Sequence, residues 1–235
     1  MNRNTLGVLG GMGPFATSVF FERVIERTKA NKDQDHLDMV ILNHASLPDR
    51  TESILNNEPQ EFLQLMEQDI KLLEQAGVDH IAIPCNTSHY FYDKIQNMTH
   101  IPIIHMVQST VQYVYKQVGA NKKIAVLATN GTVKSEVYQH EIRKINMELH
   151  PLDDTTQEKV MDIIYRIKGN LVYKTEELDY IIGDLVQNHG CTTVILACTE
   201  LSTIALKEES KRYCIDALDV LVRESIIRSN LPFNE

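Results

Sequence analysis

A surplus of positive charge is missing from this chain of 235 residues. It carries 23 Lys and Arg against 32 Asp and Glu, a net charge of −9, and the basic residues form no patch. That balance argues against nucleic acid or an anionic membrane as a partner, although single cations can still line a pocket for an anion. No apolar run approaches the roughly 18 residues that span a bilayer. No apolar leader with a cleavage site follows the first residues, so a soluble, cytoplasmic protein is expected. The chain also lacks a CxxC pair. Its four cysteines, Cys85, Cys191, Cys198 and Cys214, are irregularly spaced, which argues against structural zinc. In a reducing compartment their thiols stay free. No linker or low-complexity stretch divides the sequence.

What is present is an alternation of short apolar strands and amphipathic helices. Hydrophobic residues make up 43%, enough for a real core. Strands are predicted at 6–9, 38–42, 81–83, 101–104, 123–127, 194–196 and 213–215. Helices are predicted at 15–29, 61–76, 88–96, 107–118, 133–145, 155–168, 175–189 and 219–229. Segment 46–50 reads as a loop at a strand's C-terminal side. Alternating βα units with short loops imply an α/β protein with mainly parallel sheets flanked by helices. The second half restarts in the order of the first: Leu6 to Pro14 matches Ile124 to Thr132 position by position, with Gly13 opposite Gly131. Two pseudo-symmetric lobes are therefore expected, residues 1–105 plus 210–235 and residues 106–209. Ligands of such sheets bind at the C-terminal ends of strands, here in a cleft between the lobes.

The repeat extends to two cysteines. Gly77 leads through Ile81-Ala82-Ile83-Pro84 to Cys85-Asn86-Thr87, and Gly190 leads through Val194-Ile195-Leu196-Ala197 to Cys198-Thr199-Glu200. Each thiol ends a strand, and the two occupy matching positions of the repeat. Thiols on opposite sides of one substrate carbon can remove a proton from one face and return it to the other, which is racemisation or epimerisation. Contact with that carbon from both sides would put the sulfurs roughly 6–7 Å apart, too far for a disulfide bond of about 2.05 Å. One must be thiolate and the other thiol. An ordinary thiol is only slightly ionised at neutral pH, so helix N-termini and donors such as Asn86, Thr87 and Thr199 are expected to lower its pKa. Free cysteines are often just small buried hydrophobes. Cys191 and Cys214 read that way, and Cys85 alone would too; the matched pair does not.

Other residues weigh less. Gly11-Met12-Gly13-Pro14-Phe15-Ala16 fits the dinucleotide pattern G-x-G-x-x-A, but the second strand ends Ile41-Leu42-Asn43 without a ribose-holding acid. The loop reads instead as a tight turn beneath the substrate, with a plain βα turn equally open. Arg50 and Lys168 could grip a carboxylate, Arg50 in bidentate fashion, yet a lone cation is usually a solvated surface charge. His44, His89 and His105 lie near strand ends, where most histidines pack or face solvent. Glu200 and Asp216 are candidate orienters of a cysteine or of a substrate ammonium.

Taken together, Gly10-Gly11-Met12-Gly13-Pro14 with Ala16-Thr17, Pro84 to His89, and Ala197 to Leu201 resemble the aspartate/glutamate racemase family over essentially the whole chain, most closely its aspartate racemase branch. That resemblance implies catalysis without pyridoxal phosphate or any other cofactor, no metal, and in many members a homodimer. It implies Cys85 and Cys198 as the acid/base thiols. Asn86, Thr87, Thr129, Thr199 and Glu200 would line or bind the substrate, with the Met12 loop beside them and Arg50 and Lys168 holding a side-chain carboxylate. Phe15 departs from the branch, which commonly has an acid there. The substrate implied is aspartate or glutamate. On the same scaffold, maleate isomerase and hydantoin racemase remain alternatives, as does a dicarboxylate-binding protein without catalysis. A dinucleotide oxidoreductase is the reading attached to the glycine pattern.

Overall fold

The computed structural model describes residues 3–169 and 175–234. The chain alternates strand and helix as follows. The first lobe opens with β1 (Leu6–Gly10), α1 (Pro14–Arg27), β2 (Met39–Asn43), α2 (Arg50–Leu55), α3 (Gln60–Gln75), β3 (His80–Ala82) and α4 (Tyr92–Gln96). Then follow α5 (Met106–Val118), β4 (Lys123–Leu127), α6 (Asn130–Lys134), α7 (Val137–Arg143), β5 (Glu148–His150), α8 (Asp154–Lys168), α9 (Thr175–Gln187) and β6 (Thr193–Leu196). The last elements are α10 (Glu208–Lys211), β7 (Cys214–Asp216) and α11 (Ala217–Arg228). Two wholly parallel sheets result, ordered β2-β1-β3 and β5-β4-β6-β7. The fold is α/β with two sheets flanked by helices.

Period-two alternation feeds two cores per sheet. In β1, Leu6 and Val8 face Phe20, Val24, Leu221 and Ile226, whereas Leu9 faces Phe62, Met66 and Ile70. In β4, Ala125 and Leu127 pack with Val160 and Ile164, and Ile124 and Val126 with Val111 and Ile142. Burial on both faces explains why these strands read as unbroken apolar runs. Helix α3 buries Phe62, Met66, Ile70 and Leu73 on one stripe, and Gly77, at φ +71°, ends it in the left-handed conformation that glycine adopts freely.

The structure departs from the sequence expectations at several places; the helix expected at 88–96 is a 3₁₀ turn over Thr87–Phe91 before α4. Segment 101–104 is not a full strand: Ile103 makes one parallel bridge to Ile81. Pro102 accepts a bond from the Ile81 N–H but has none to donate, and the Ile103 N–H goes to the Gln96 side chain. The helix expected at 133–145 is split, because Glu136 sits at φ +56° between α6 and α7. Segment 46–50 gives way at Arg50 to α2, capped by the Asp49 carboxylate, which accepts from the Glu52 N–H. Strand β5 was hidden by its exposure and polarity.

The second sheet extends to Asp216, past the division at residue 210 read from the sequence, because β7 pairs with β6. The chain then crosses back. Helix α11 packs on α1 and α5, and Leu218, Leu221, Val222 and Ile226 join the core of the first sheet. Among the described residues, no helix is long and apolar enough to cross a membrane.

Leu221 is fully buried in that core. Leu221→Ala is expected to cost about 2–5 kcal/mol through the lost transfer energy and the cavity left behind. Urea unfolding measures it, and a loss below about 1 kcal/mol would contradict the packing role assigned to α11.

Candidate active site

Both sheets aim their strand C-termini at one small cleft. It is lined by Met12, Asp49, Arg50, Thr51, Cys85, Asn86, Thr87, Thr129, Lys168, Cys198, Thr199 and Glu200. All ten residues that the family resemblance assigned to the site are therefore in one place. Cys85 follows β3 and Cys198 follows β6, so the thiols come from different lobes. Each backs onto its own lobe's core. All four cysteines are free. The cleft encloses about 10 Å³, about one water molecule's worth of space. A vestibule of about 390 Å³ adjoins it, sharing Asp49, Arg50, Lys168 and Glu200 and walled by Phe15, Leu47 and Ile167.

Local sequence explains the convergence. Gly11 sits at φ +92°, and a Cβ there would stand 2.4 Å from the backbone of His44, so only glycine lets the β1 turn pass the end of β2. Thr17 Oγ1 accepts from the Gly11 N–H and donates to the Gly13 carbonyl, stapling that turn. Thr129 caps α6, its hydroxyl accepting from the Thr132 N–H. The lobes meet where Thr87, Thr129 and Thr132 place their hydroxyls 3.0–3.1 Å apart in a ring. A Cβ on Gly131 would lie 2.9 Å from Thr51 Cα, so the approach of α6 to α2 depends on the missing side chain.

The Cys85 turn is anchored from below. Its carbonyl accepts from the Ser88 hydroxyl and from His89 Nδ1, both at 2.8 Å. His89 Nε2 accepts from the Met106 N–H at 3.0 Å, which assigns the proton to Nδ1. Burial first, then the neighbouring His105, lowers the His89 pKa to about 4. The ring is thus neutral at working pH and serves as a brace.

Charge in the cleft is paired. Cys198 Sγ donates to Glu200 Oε2 at 2.9 Å. Burial and the Glu200 carboxylate hold the Cys198 pKa well above the usual thiol value, with Lys168 pulling the other way. For Lys168 burial favours the neutral form, yet Glu200, Cys198 and Asp49 outweigh it and raise its pKa. Lys168 Nζ lies 3.9 Å from Asp49 Oδ2. Arg50 is buried and donates to the carbonyls of Leu47 and Pro48, leaving Nε unpartnered. Glu200 Oε1 and Asn86 Nδ2 are also buried without partners. An arginine Nε–H, an amide N–H₂ and a carboxylate oxygen thus stand unused around one cleft.

The remaining candidates do not line it. His44 pairs with Asp69 at 2.8 Å, and His105 caps α5. Asp216 caps α11 and engages Arg23 and Ser202. Cys191 is buried in the second lobe's core and Cys214 packs against it.

The family model for Asp/Glu/hydantoin racemases matches residues 9–225. The chain belongs to this racemase family. It is accordingly an amino-acid racemase, an isomerase. The broad-specificity amino-acid racemase RacX of Bacillus subtilis (strain 168) is 30% identical over 227 residues, covering 94% of this chain and 96% of RacX. The Picrophilus torridus aspartate racemase superposes with a TM-score of 0.83 at 29% identity, covering 98% of this chain and 96% of that one. A glutamate racemase from Francisella tularensis, solved with D-glutamate, shares the fold with a TM-score of 0.64 at 20% identity, over 95% and 80% of the two chains.

The sequence reading of this racemase missed several contributors. Asp49 and Thr51 line the cleft, and Thr132 completes the hydroxyl ring. Their signal was present, since Asp49 adjoins Arg50 and Thr132 ends the repeated loop. Tyr138, which reaches Asn86 from α7, gave none.

Two outcomes follow for the racemase. Glu200→Gln removes the charge that holds Cys198 protonated, so Cys198 is expected to alkylate faster with iodoacetamide at neutral pH, read by mass spectrometry; an unchanged or slower rate would overturn that account. For His89, the folded pKa of about 4 lies below the unfolded value of 6.5. The unfolded chain therefore binds the extra proton between those values. The stability this neutral ring contributes is complete above about pH 6.5 and is lost as pH falls to about 4, on the order of 3 kcal/mol in all. His89→Gln should flatten that part of the stability–pH curve; a slope equal to wild type would show that other groups carry it.

Proposed function

We propose that this racemase interconverts L- and D-aspartate, with glutamate as the longer alternative, by a two-base mechanism on Cys85 and Cys198. The observation that carries the reading is that two free thiols, from the matching turns of two lobes, line one cleft with paired cations and unpartnered donors. Arg50 and Lys168 would hold the side-chain carboxylate. Asn86 Nδ2 and the Thr199 hydroxyl would bind the α-carboxylate, with Thr87 and Thr129, whose protons are taken up in the ring, lining the site behind them. Glu200 Oε1 would accept from the α-ammonium.

In one direction Cys85, as thiolate, takes the α-proton. The resulting carbanion is stabilised through the adjacent carboxylate, and the Cys198 thiol delivers its own proton to the opposite face. Turnover leaves Cys85 protonated and Cys198 ionised, ready for the other enantiomer. The Cys198 thiol found beside Glu200 suits the donor role. For the reverse role the Glu200 charge must be offset, and a substrate ammonium seated on Glu200 would do that. The thiol is then ionised only once substrate is bound. The cleft's small volume requires the site to open through the vestibule before substrate enters and to close for chemistry.

Cys85→Ser and Cys198→Ser are each expected to abolish racemisation of aspartate in both directions, by at least about 10³-fold. Each single variant would retain exchange of the α-proton with D₂O from one face, for one enantiomer only. Chiral chromatography with deuterium counting measures both, and racemisation surviving in either variant rejects the mechanism. Rates on L-Asp, L-Glu and apolar amino acids decide the substrate.

A further inference from the structure

Asn86 is 2% exposed, and its two ends are treated differently. Its carbonyl Oδ1 accepts a 2.6 Å hydrogen bond from the Tyr138 hydroxyl, while its Nδ2 is buried with no partner. Tyr138 stands on α7 of the second lobe and Asn86 on the turn after β3 of the first. A side-chain amide can rotate by half a turn, exchanging donor for acceptor at little cost unless a neighbour chooses. Here a phenol that can donate faces the oxygen. We propose that Tyr138 is a positioning residue: its hydroxyl fixes the Asn86 amide so that the N–H₂ end, not the oxygen, faces the catalytic cleft. The inference rests on the reading that this cleft binds an amino-acid carboxylate.

The surroundings suit such a clamp. Tyr138 is 3% exposed, and its ring is held in a core with Val111 and Ile142. Burial raises its pKa, so the phenol keeps its proton across the working pH range. An amide turned the wrong way would set an oxygen against a carboxylate and trade the 2.6 Å O–H···O bond for an N–H···O bond to the phenol oxygen, whose proton would then need another acceptor. The clamp also joins the lobes. Asn86 presents its donor only when α7 is in register with the Cys85 turn, so carboxylate recognition is tied to lobe closure. Tyr138 touches no reacting atom in this scheme. It also walls a separate cavity of about 570 Å³ between β4, β5 and α8, so its far side does not border the cleft.

The test is Tyr138→Phe, alone and combined with Asn86→Ala. The ring is kept, so the fold should persist, with a few degrees lost from the melting temperature for the Asn86 oxygen left without a donor. kcat/KM for aspartate should fall about tenfold, mainly through KM. In the Asn86→Ala background the same substitution should have no further effect, because the amide it orients is gone. A tenfold loss that persists in that background, or a single-variant effect below twofold, overturns the proposal. The Asn86 side-chain amide provides a readout independent of turnover. In ¹⁵N spectra of the substrate-free protein its N–H₂ resonances should move and broaden in Tyr138→Phe. Unmoved resonances reject the clamp, and inactivity of the wild type toward aspartate with moved resonances rejects the substrate reading alone.

Discussion

Three threonine hydroxyls, one from the turn after β3, one from the turn after β4 and one from α6, share a buried ring at the seam between the lobes. Almost everything about the site depends on that seam. Each hydroxyl can donate once and accept twice, so a ring of three satisfies itself with no water and no charge. It brings the ends of two independent parallel sheets into register. Gly131 makes the approach feasible, since any side chain there would strike the α2 backbone. With the seam in place, turns that belong to separate hydrophobic cores face a common space.

The second organising feature is the way charge is kept in that space. Two cations and two carboxylates are brought together where water is scarce: Lys168 lies beside Asp49, Glu200 accepts from Cys198, and Arg50 is held by backbone carbonyls. Such an arrangement is costly to assemble and weak as a source of stability. Its value is in setting protonation. Burial and then Glu200 keep the Cys198 thiol protonated, and Lys168 limits how far that goes. The unpartnered atoms on Arg50, Asn86 and Glu200 carry a desolvation cost in the free protein, and groups of matching polarity recover it when bound. On the proposed reading, the cleft is preorganised for an ammonium and carboxylates.

Much of this was readable in the amino-acid order, for identifiable reasons. Strands buried on both faces leave plain apolar runs, and the repeat exposed the matching turns of Cys85 and Cys198 without any coordinates. The sequence was less informative where tertiary context overrides local pattern. Segment 101–104 looks like a strand, but Pro102 withholds a donor and the Gln96 side chain takes the place of a neighbouring strand. Helix α2 is too short for periodicity to register, and Asp49 hides its role as a cap inside what reads as a loop. Glu136 breaks a helical pattern with a backbone conformation its side chain does not announce. Tyr138 reads as one more core aromatic on an amphipathic helix. Its hydroxyl matters only because another lobe happens to end beside it, and no pattern within one chain segment carries that information.

The return of α11 to the first sheet affects the order in which the molecule can assemble. The apolar surface of β1 and α1 stays uncovered until residues 217–228 have been made, whereas every strand of the second sheet precedes them. On a ribosome, β7 and α11 emerge one after the other, so the second sheet gains its edge strand and the first core its closing helix at nearly the same moment, and the apolar face of β1 and α1 waits until then. A chain that stalls within β7 would leave that waiting surface open to aggregation or to chaperone capture.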